Sequence, residues 1–264
     1  MSLKNRLLGG LAAPVLGALP RAGRVARAEL GCTAVAPIVL FPATRDVTRR
    51  LSAMLRRRKR IGDTWRGRVG GRDVSVVNTG VGTPSAEGKV IAALGVGGRV
   101  FLRVDICGGL GDDLAVGDVV VAEAAVPYDG LSRALGGDAA IPASPLLLRT
   151  ATEAAAGARR PIRCRAGVVA TVDTFHHQTP AAQRSWAEAA SAVDMETSII
   201  YLLARRAAAH ALAIMAVSDL PLAGLDPFGE GRFPYGAFLQ GLDDVTALAE
   251  EIIRRLPEHL PALA

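Results

Sequence analysis

Short apolar runs alternate with longer segments of helical period along most of the chain. Apolar runs bounded by turn residues are typical of buried strands, whereas apolar positions spaced three and four apart are typical of amphipathic helices. Thr44 is the expected N-cap of a helix, and Gly70-Gly71 is the expected turn of a β-hairpin. The pattern predicts strands at residues 37–41, 65–69, 73–78, 100–105, 119–122, 167–172 and 211–217, and helices at 44–55, 86–94, 146–156, 179–190 and 243–256.

The alternation of strands and helices favours an α/β fold. Since no linker-like tract interrupts it, we expect a single domain with a central mixed β-sheet flanked by helices. We place this domain at residues 35–264 and treat residues 1–34 as an N-terminal extension. No internal repeat is visible.

The composition fits this fold class. Half of the 264 residues are apolar, which is ample for a sizeable core. Aromatic residues make up only 4%, as expected for a sheet covered by helices that pack through small side chains.

The net charge of +6 comes largely from one basic run between Arg49 and Arg60. Such a run can bind nucleic acid through its phosphates. It contains no interleaved aromatic residue and belongs to no recognisable nucleic-acid module, so we interpret it as a solvated helix face and expect no nucleic-acid partner.

The cysteines and the N-terminal residues indicate in which cellular compartment the protein is located. Cys32, Cys107 and Cys164 are widely separated and show no metal-ligand spacing, which favours a reducing compartment and no structural metal. Residues 1–28 loosely resemble a secretory signal, but their apolar stretch is short, broken by Gly and Pro, and followed by arginines. We therefore expect a cytoplasmic protein with no membrane partner, since no other stretch is long enough to span a bilayer.

The segment from Ser191 to Ser198 carries the most informative chemistry. It places Asp194 and Glu196 on either side of Met195, just before an apolar helical run. A buried, unpaired carboxylate is costly, so a polar partner is expected there, such as the two hydroxyls of a sugar. Capping of the helix by the same carboxylates is the alternative.

Glycines and arginines suggest a second ligand-binding element. Gly80-x-Gly82 follows a strand and precedes a helix, but the third glycine of a dinucleotide fingerprint is replaced by Ser85, so we interpret it as a tight turn that opens onto a ligand. Arg103 lies inside an apolar strand, where a guanidinium needs a partner. That partner is either a bound anion such as phosphate or a carboxylate such as Asp105.

The chain resembles the nucleoside phosphorylase superfamily, which contains uridine phosphorylase, hexameric purine nucleoside phosphorylase and the methylthioadenosine nucleosidases. The resemblance spans roughly residues 37–256 and implies a three-layer αβα fold. Each matching fragment is weak alone, but their common order is specific. The fragments are Thr64-Trp65-Arg66, residues 75–85, Phe101-Leu102-Arg103-Val104, residues 116–120, residues 170–175, Val193-Asp194-Met195-Glu196 and Val217-Ser218-Asp219.

The resemblance implies roles for individual residues. Glu196 would bind the ribose hydroxyls, with Met195 and Asp194 in the same pocket, and Asp219 would protonate the departing purine-type base. The other implied residues are Ser218, Phe175 and His176 near the base, Arg232 as the partner of Asp219, and Arg45, Arg103 and Arg60 around phosphate, Arg60 reaching a neighbouring subunit.

The implied activity is phosphorolysis of a nucleoside, giving free base and ribose 1-phosphate. Phosphate is the co-substrate, no metal or organic cofactor is required, and a homodimer or homohexamer is expected. The chain departs from the family at Phe41, which replaces a glycine of the phosphate site, and at Asp105-Ile106, which replaces the usual Gly-Thr or Gly-Ser and so removes a hydroxyl donor. A carboxylate there opposes an anion. Two alternatives therefore stay open: a hydrolytic nucleosidase that uses water, and a nucleoside-binding homologue without catalysis.

Overall fold

The computed structural model describes residues 20–158, 160–227, 229 and 232–259. In this part of the chain, strands and helices alternate as the hydrophobic pattern predicts. The strands are β1 (Ile38–Phe41), β2 (Arg56–Ile61), β3 (Thr64–Val69), β4 (Arg72–Val77), β5 (Val100–Gly109), β6 (Val119–Pro127), β7 (Ile141–Pro142), β8 (Cys164–Thr171), β9 (Ala192–Asp194) and β10 (His210–Asp219). The helices are α1 (Arg21–Leu30), α2 (Arg45–Met54), α3 (Thr83–Gly95), α4 (Gly130–Ala134), α5 (Pro145–Ala156), α6 (Pro180–Ala187), α7 (Thr197–Arg206) and α8 (Tyr235–Arg255).

All ten of these strands belong to one mixed sheet, and five of them close into a ring. β5 pairs in parallel with β10, β10 runs antiparallel to β6, β6 and β8 are parallel, and β9 joins β8 back to β5. From β5 the sheet continues through β1, β4 and β3 to β2, which forms its edge. The ring brings the ends of β8, β9 and β10 next to β5, and this is where the candidate site lies.

The core consists of the central strands and the helices that cover them. Every residue of β1 is buried, and β5 and β10 are buried along almost their whole length. Continuous apolar burial of this kind is expected when both faces of a strand are covered. α8 packs against β10 and α5, and α7 packs against α3 and β10. The predicted α/β fold, a mixed sheet flanked by helices, is confirmed.

Helix α1 lies within the predicted N-terminal extension, just before the expected domain boundary at residue 35. Ala26 and Leu30 of this helix are fully buried, and α1 packs against α3. The apolar stretch at residues 7–16, which resembles a signal sequence, lies outside the described residues. A domain boundary near residue 35 stays a prediction.

The interpretation of the basic run as a helix face is wrong for five of its seven basic residues. Arg49 and Arg50 lie on α2, but residues 56–60 belong to β2, and all five are exposed. The guanidinium groups of Arg58 and Arg60 each lie 5.8 Å from the ring centre of Trp65 on β3. An edge strand that is solvated on both faces has no apolar alternation, so the hydrophobic pattern could not identify it.

Within the described residues, none of the helices combines the length and the apolar character that crossing a membrane requires.

Candidate active site

A cleft of about 720 Å³ opens where β1, β8, β9 and β10 end beside the middle of β5. Successive strand residues point to opposite faces of a sheet, so Arg103, Asp105 and Cys107 of β5 share the face that lines this cleft. The other lining residues are Ala43, Thr44, Val81, Ile106, Gly108, Asp173, Thr174, Phe175, His176, His177, Gln178, Val193, Asp194, Met195, Glu196, Ser218 and Asp219.

Arg103 is the central cation of the cleft and is only 2% exposed. Its Nε lies 2.8 Å from Asp194 Oδ2, and its Nη2 lies 2.5 Å from Glu196 Oε2. The third nitrogen, Nη1, is 3.6 Å from Asp105 Oδ2 and finds no hydrogen-bond acceptor among the described residues. Burial alone would lower the pKa of Arg103, but the charges of the three carboxylates raise it above its ordinary value.

Of the two partners expected for Arg103, a carboxylate or a bound anion, the structure favours the carboxylate. Carboxylates occupy two of its three nitrogens, as the salt-bridge alternative predicts, although the expected partner Asp105 is the most distant of the three. Nη1 is the nitrogen of Arg103 that has no acceptor among the described residues and can therefore contact an anion in the cleft. Whether Arg103 binds phosphate stays a prediction.

Asp194 holds the start of α7 in place. Its Oδ2 accepts hydrogen bonds from the amides of Glu196 and Thr197 at 3.2 and 2.9 Å and from Thr197 Oγ1 at 2.6 Å. Its Oδ1 accepts a hydrogen bond from Thr171 Oγ1 of β8 at 2.8 Å. With Arg103 Nε as a further donor, Asp194 accepts five hydrogen bonds from the protein, four of them on Oδ2. The capping interpretation thus describes Asp194 better than a direct contact with a ligand.

Glu196 faces the cleft but is only 2% exposed. Its Oε1 accepts a hydrogen bond of 2.6 Å from the amide of Gly82, and its Oε2 is paired with Arg103. Burial, supported by the charges of Asp194 and Asp105, raises the pKa of Glu196 to about 7, although Arg103 and the Gly82 amide oppose the shift. Each oxygen of a carboxylate can accept two hydrogen bonds, so Glu196 keeps capacity for two donors from a ligand.

The glycine turn before α3 supplies the Gly82 amide. Gly80 and Gly82 have φ angles of +68° and +92°, a region that side chains with a Cβ adopt only with strain. This backbone turns the Gly82 amide toward Glu196, across 114 positions of sequence. The prediction of a tight turn that opens onto the ligand site matches this position.

Asp105 lies against the N-terminus of α2. Its Oδ2 accepts hydrogen bonds from the amides of Ala43 and Thr44 at 2.5 and 3.2 Å, and its Oδ1 accepts one from Thr44 Oγ1 at 2.7 Å. Thr44 is the N-cap residue as predicted, but its hydroxyl bonds to Asp105 and does not cap the helix. Burial raises the pKa of Asp105, while Arg103 and these hydrogen bonds oppose the shift.

Ser218 and Asp219 end β10 at the other side of the cleft. The Ser218 hydroxyl lies 3.1 Å from the carbonyl oxygen of Cys107 and also hydrogen-bonds to Asp219. Asp219 is half-buried, and this burial, with a smaller contribution from the charge of Asp226, raises its pKa despite the hydrogen bond from Ser218. The raised pKa favours the protonated form of Asp219, which is the form that can donate a proton.

Phe175 and His176 lie in the loop that follows β8. Their rings meet edge to face with centroids 4.9 Å apart, and Phe175 is 47% exposed. Met195, which lies between Asp194 and Glu196 in the sequence, lines the same cleft. Exposed aromatic rings beside a cleft offer a surface on which a flat heterocycle can stack.

Three predicted site residues lie away from the cleft lining. Arg45 is exposed on the first turn of α2. Arg60 lies on the edge strand β2, where it bonds to the carbonyl oxygen of Gly62 and lies 3.5 Å from Asp63. Arg232 is exposed and does not line the cleft. The roles expected for these arginines stay predictions.

Sequence reasoning did not find several residues that line the cleft. Cys107, His177 and Gln178 were missed because nothing in their local pattern distinguishes them. The position of Cys107 was detectable in principle, since it follows Arg103 and Asp105 at the two-residue period of a strand. Burial, supported by the nearby Asp219 charge, raises its pKa, so the thiol is not an activated nucleophile.

The fold and the cleft define an α/β protein with a carboxylate-rich ligand site at the strand ends of a mixed sheet. The sequence profile of the phosphorylase superfamily matches residues 37–255 of this chain. The chain belongs to this superfamily, which confirms the resemblance found in the sequence.

Individual relatives agree with this assignment. A DeoD-type purine nucleoside phosphorylase of Caldanaerobacter subterraneus subsp. tengcongensis is 35% identical over 168 residues, which cover 61% of this chain and 71% of the relative. The DeoD-type enzyme of Myxococcus xanthus is 37% identical over 160 residues, covering 58% and 65% of the two chains.

Solved structures show the same fold. The purine nucleoside phosphorylase from Toxoplasma gondii, in complex with immucillin-H, aligns with a TM-score of 0.74 at 22% identity over 84% of this chain and 92% of its own. Uridine phosphorylase from Vibrio fischeri ES114 aligns with a TM-score of 0.74 at 21% identity, covering 84% and 93% of the two chains.

Proposed function

We propose that the protein cleaves the N-glycosidic bond of a purine-type nucleoside by phosphorolysis, releasing the free base and a pentose 1-phosphate. Membership in the phosphorylase superfamily and the relatives named purine nucleoside phosphorylase support this proposal. The observation that carries it is that a buried carboxylate, Glu196, and an acid with a raised pKa, Asp219, line one cleft of nucleoside size.

Glu196 holds the sugar in this proposal. The vicinal hydroxyls of the pentose donate to the two carboxylate oxygens, each of which already accepts one bond from the protein. Arg103 and the Gly82 amide fix the orientation of the carboxylate, so the sugar is positioned before the bond breaks. Met195 packs against the sugar, and Asp194 acts by positioning Arg103 and α7.

Asp219 assists the departure of the base. As the bond between the sugar carbon and the base nitrogen breaks, its electron pair moves onto the base, which gains negative charge. Asp219 donates its proton to a ring nitrogen of the base and offsets that charge. Phe175 and His176 stack against the base, Ser218 orients Asp219, and Arg232 is proposed to pair with it in the bound state.

Phosphate attacks the opposite face of the sugar carbon, and one of its oxygens forms the new bond. Arg103 Nη1, which has no acceptor among the described residues, is available to contact phosphate inside the cleft. Arg45 and Arg60 are proposed as further phosphate ligands, and Arg60 acts from a second copy of the chain in a homodimer or homohexamer. The reaction needs no metal or organic cofactor. The free thiols of Cys32, Cys107 and Cys164 support a cytoplasmic location.

Hydrolysis is the second candidate, and the position of Asp105 favours it. The carboxylate lies next to the only unpartnered nitrogen of Arg103 in the described cleft. In this alternative a water molecule attacks the sugar carbon and gives its proton to Asp105, while Asp219 protonates the base as before. The products are free base and free pentose.

The test is release of free base from a panel of nucleosides, with and without inorganic phosphate, followed by chromatography of base and sugar products. Phosphorolysis predicts base release that requires phosphate and yields pentose 1-phosphate. Equal release without phosphate, with free pentose as product, would establish hydrolysis in its place. Nucleoside binding without base release from any member of the panel would contradict both and support a non-catalytic role.

A further inference from the structure

The N-terminus of α2 forms a site for an anionic oxygen that the chain fills with its own carboxylate. Three donors converge there: the amides of Ala43 and Thr44 and the Thr44 hydroxyl. Arg103 Nη1 adds a buried positive group 3.6 Å from Asp105 Oδ2, without a hydrogen-bond acceptor among the described residues. We call these four donors the anion cradle.

The donors of the anion cradle match the chemistry of an oxyanion such as phosphate. The amides of Ala43 and Thr44 immediately precede α2, whose dipole is positive at this end, and the guanidinium of Arg103 adds charge. In this structure Asp105, which is 1% exposed, accepts all three hydrogen bonds from Ala43 and Thr44. A phosphate oxygen can reach these donors only if the carboxylate gives them up.

The charges of the cleft also oppose the binding of phosphate. Asp105, Asp194 and Glu196 surround the single positive charge of Arg103. When all three carboxylates are ionised, their negative charges exceed the positive charge of Arg103, so the region beside the anion cradle is negative. Like charges repel strongly at such distances when water is excluded. An incoming dianion therefore meets both occupied donors and an unfavourable field.

We propose that Asp105 is an internal ligand of the anion cradle and thereby determines how well the protein accepts phosphate as its second substrate. This inference rests on the proposed cleavage of nucleosides. Asp105 acts here as a specificity-determining residue, because its carboxylate competes with phosphate for the same donors. Its removal should improve phosphate use while leaving nucleoside recognition by Glu196 in place.

The experiment compares the full-length wild type with D105N and D105S. The asparagine removes the charge but leaves a side chain on the donors, whereas serine also vacates the space. D46N is the matched control, since Asp46 lies on the first turn of the same helix but is exposed and paired with Arg49 at 2.9 Å. KM for inorganic phosphate, KM for the nucleoside and kcat are measured for all four proteins, with circular dichroism to verify folding.

We expect the wild-type KM for phosphate to lie above about 1 mM, the upper end of ordinary KM values. It should fall at least about tenfold in D105S and less in D105N, with KM for the nucleoside changed less than about twofold, which is roughly 0.4 kcal/mol. D46N should match the wild type. A wild-type KM for phosphate below about 1 mM would overturn the inference even if the variants do not fold.

The outcomes separate this inference from the proposed function. If wild-type base release needs phosphate but D105S and D105N keep the wild-type KM for phosphate, phosphorolysis stands and the role of Asp105 is refuted. If the wild type ignores phosphate, phosphorolysis is refuted, but the inference still requires D105S to gain phosphate-stimulated release with pentose 1-phosphate as product. Failure of D105S to do so would refute the inference as well.

Discussion

Replacing Arg103 with methionine tests whether this guanidinium neutralises the buried carboxylates of the cleft. R103M keeps much of the aliphatic volume of the side chain but removes its charge and all its donors. Asp194 retains four donors, and Asp105 retains three. Glu196 retains only the Gly82 amide, so it loses most from the substitution.

The magnitude follows from the burial of the group. Arg103 is 2% exposed, and its two nearest carboxylate partners, at 2.8 and 2.5 Å, are no more exposed than that. Removing one partner from a buried ion pair costs about 3–5 kcal/mol because the remaining charge is uncompensated. With roughly 2–4 °C of Tm per kcal/mol for a chain of this size, we expect Tm to fall by about 6–20 °C.

The loss should depend on pH in a defined direction. Without Arg103, the folded-state pKa of Glu196 rises further above its unfolded value, so the folded protein favours the protonated form. The deficit is therefore smallest at acid pH and grows as the pH rises through the folded-state pKa. The double variant R103M/E196Q removes the unpaired charge and should recover part of the lost Tm at pH 8.

Thermal melts of these proteins at pH 5.5 and pH 8, followed by circular dichroism, measure the effect. R68M is the matched control, because Arg68 pairs with Asp73 at 2.9 Å but both side chains are at least half exposed. Such a pair contributes at most about 1 kcal/mol. The reasoning fails if R103M melts within about 2 °C of the wild type, or if its deficit is the same at both pH values and in the double variant.

Three further outcomes are expected. Glu196→Gln should lower kcat for base release by about two orders of magnitude, because it weakens charge-assisted hydrogen bonds to the sugar, and wild-type turnover would contradict the assignment. Asp219→Asn should slow the cleavage of purine nucleosides far more than that of nitrophenyl riboside, whose leaving group needs no proton. Equal losses of rate on both substrates would exclude proton donation by Asp219. Because the pKa of Glu196 is raised from 4.5 to about 7, its contribution to stability should be present below pH 4.5 and lost as the pH rises through 7; Tm measured from pH 5 to 8 should fall less in E196Q.

The hydrophobic pattern identified most of the elements that become buried. β1 and β10 have continuous apolar sequences, and the helix predicted at residues 44–55 is α2 to within a residue at each end. β2 was not predicted because all but its last residue are exposed, so its sequence lacks the alternation of apolar and polar positions that marks a strand. The last helix was predicted to start at residue 243 but begins at Tyr235, since its first turns are largely exposed.

The position of the site was predictable from the sequence, whereas the ion-pair partners of Arg103 within it were not. The segment around Met195 was recognisable because ionised groups precede an apolar helix. Which group neutralises Arg103 was not decidable, since two of its carboxylate partners lie more than 90 positions away. Only the closure of β9 against β5 and β8 brings them together.

The ring of strands has a consequence for how the protein is made. β10 supplies the parallel partner of β5 and the antiparallel partner of β6, yet it begins at residue 210. During synthesis, both earlier strands leave the ribosome with this hydrogen-bonding side unoccupied. Non-local pairing is slow because chain entropy must be lost before contacts form. Residues 210–219 must therefore be synthesised before the strand that carries Asp219 can pair, and a chain arrested before residue 210 would expose unpaired edges of β5 and β6, which favour aggregation.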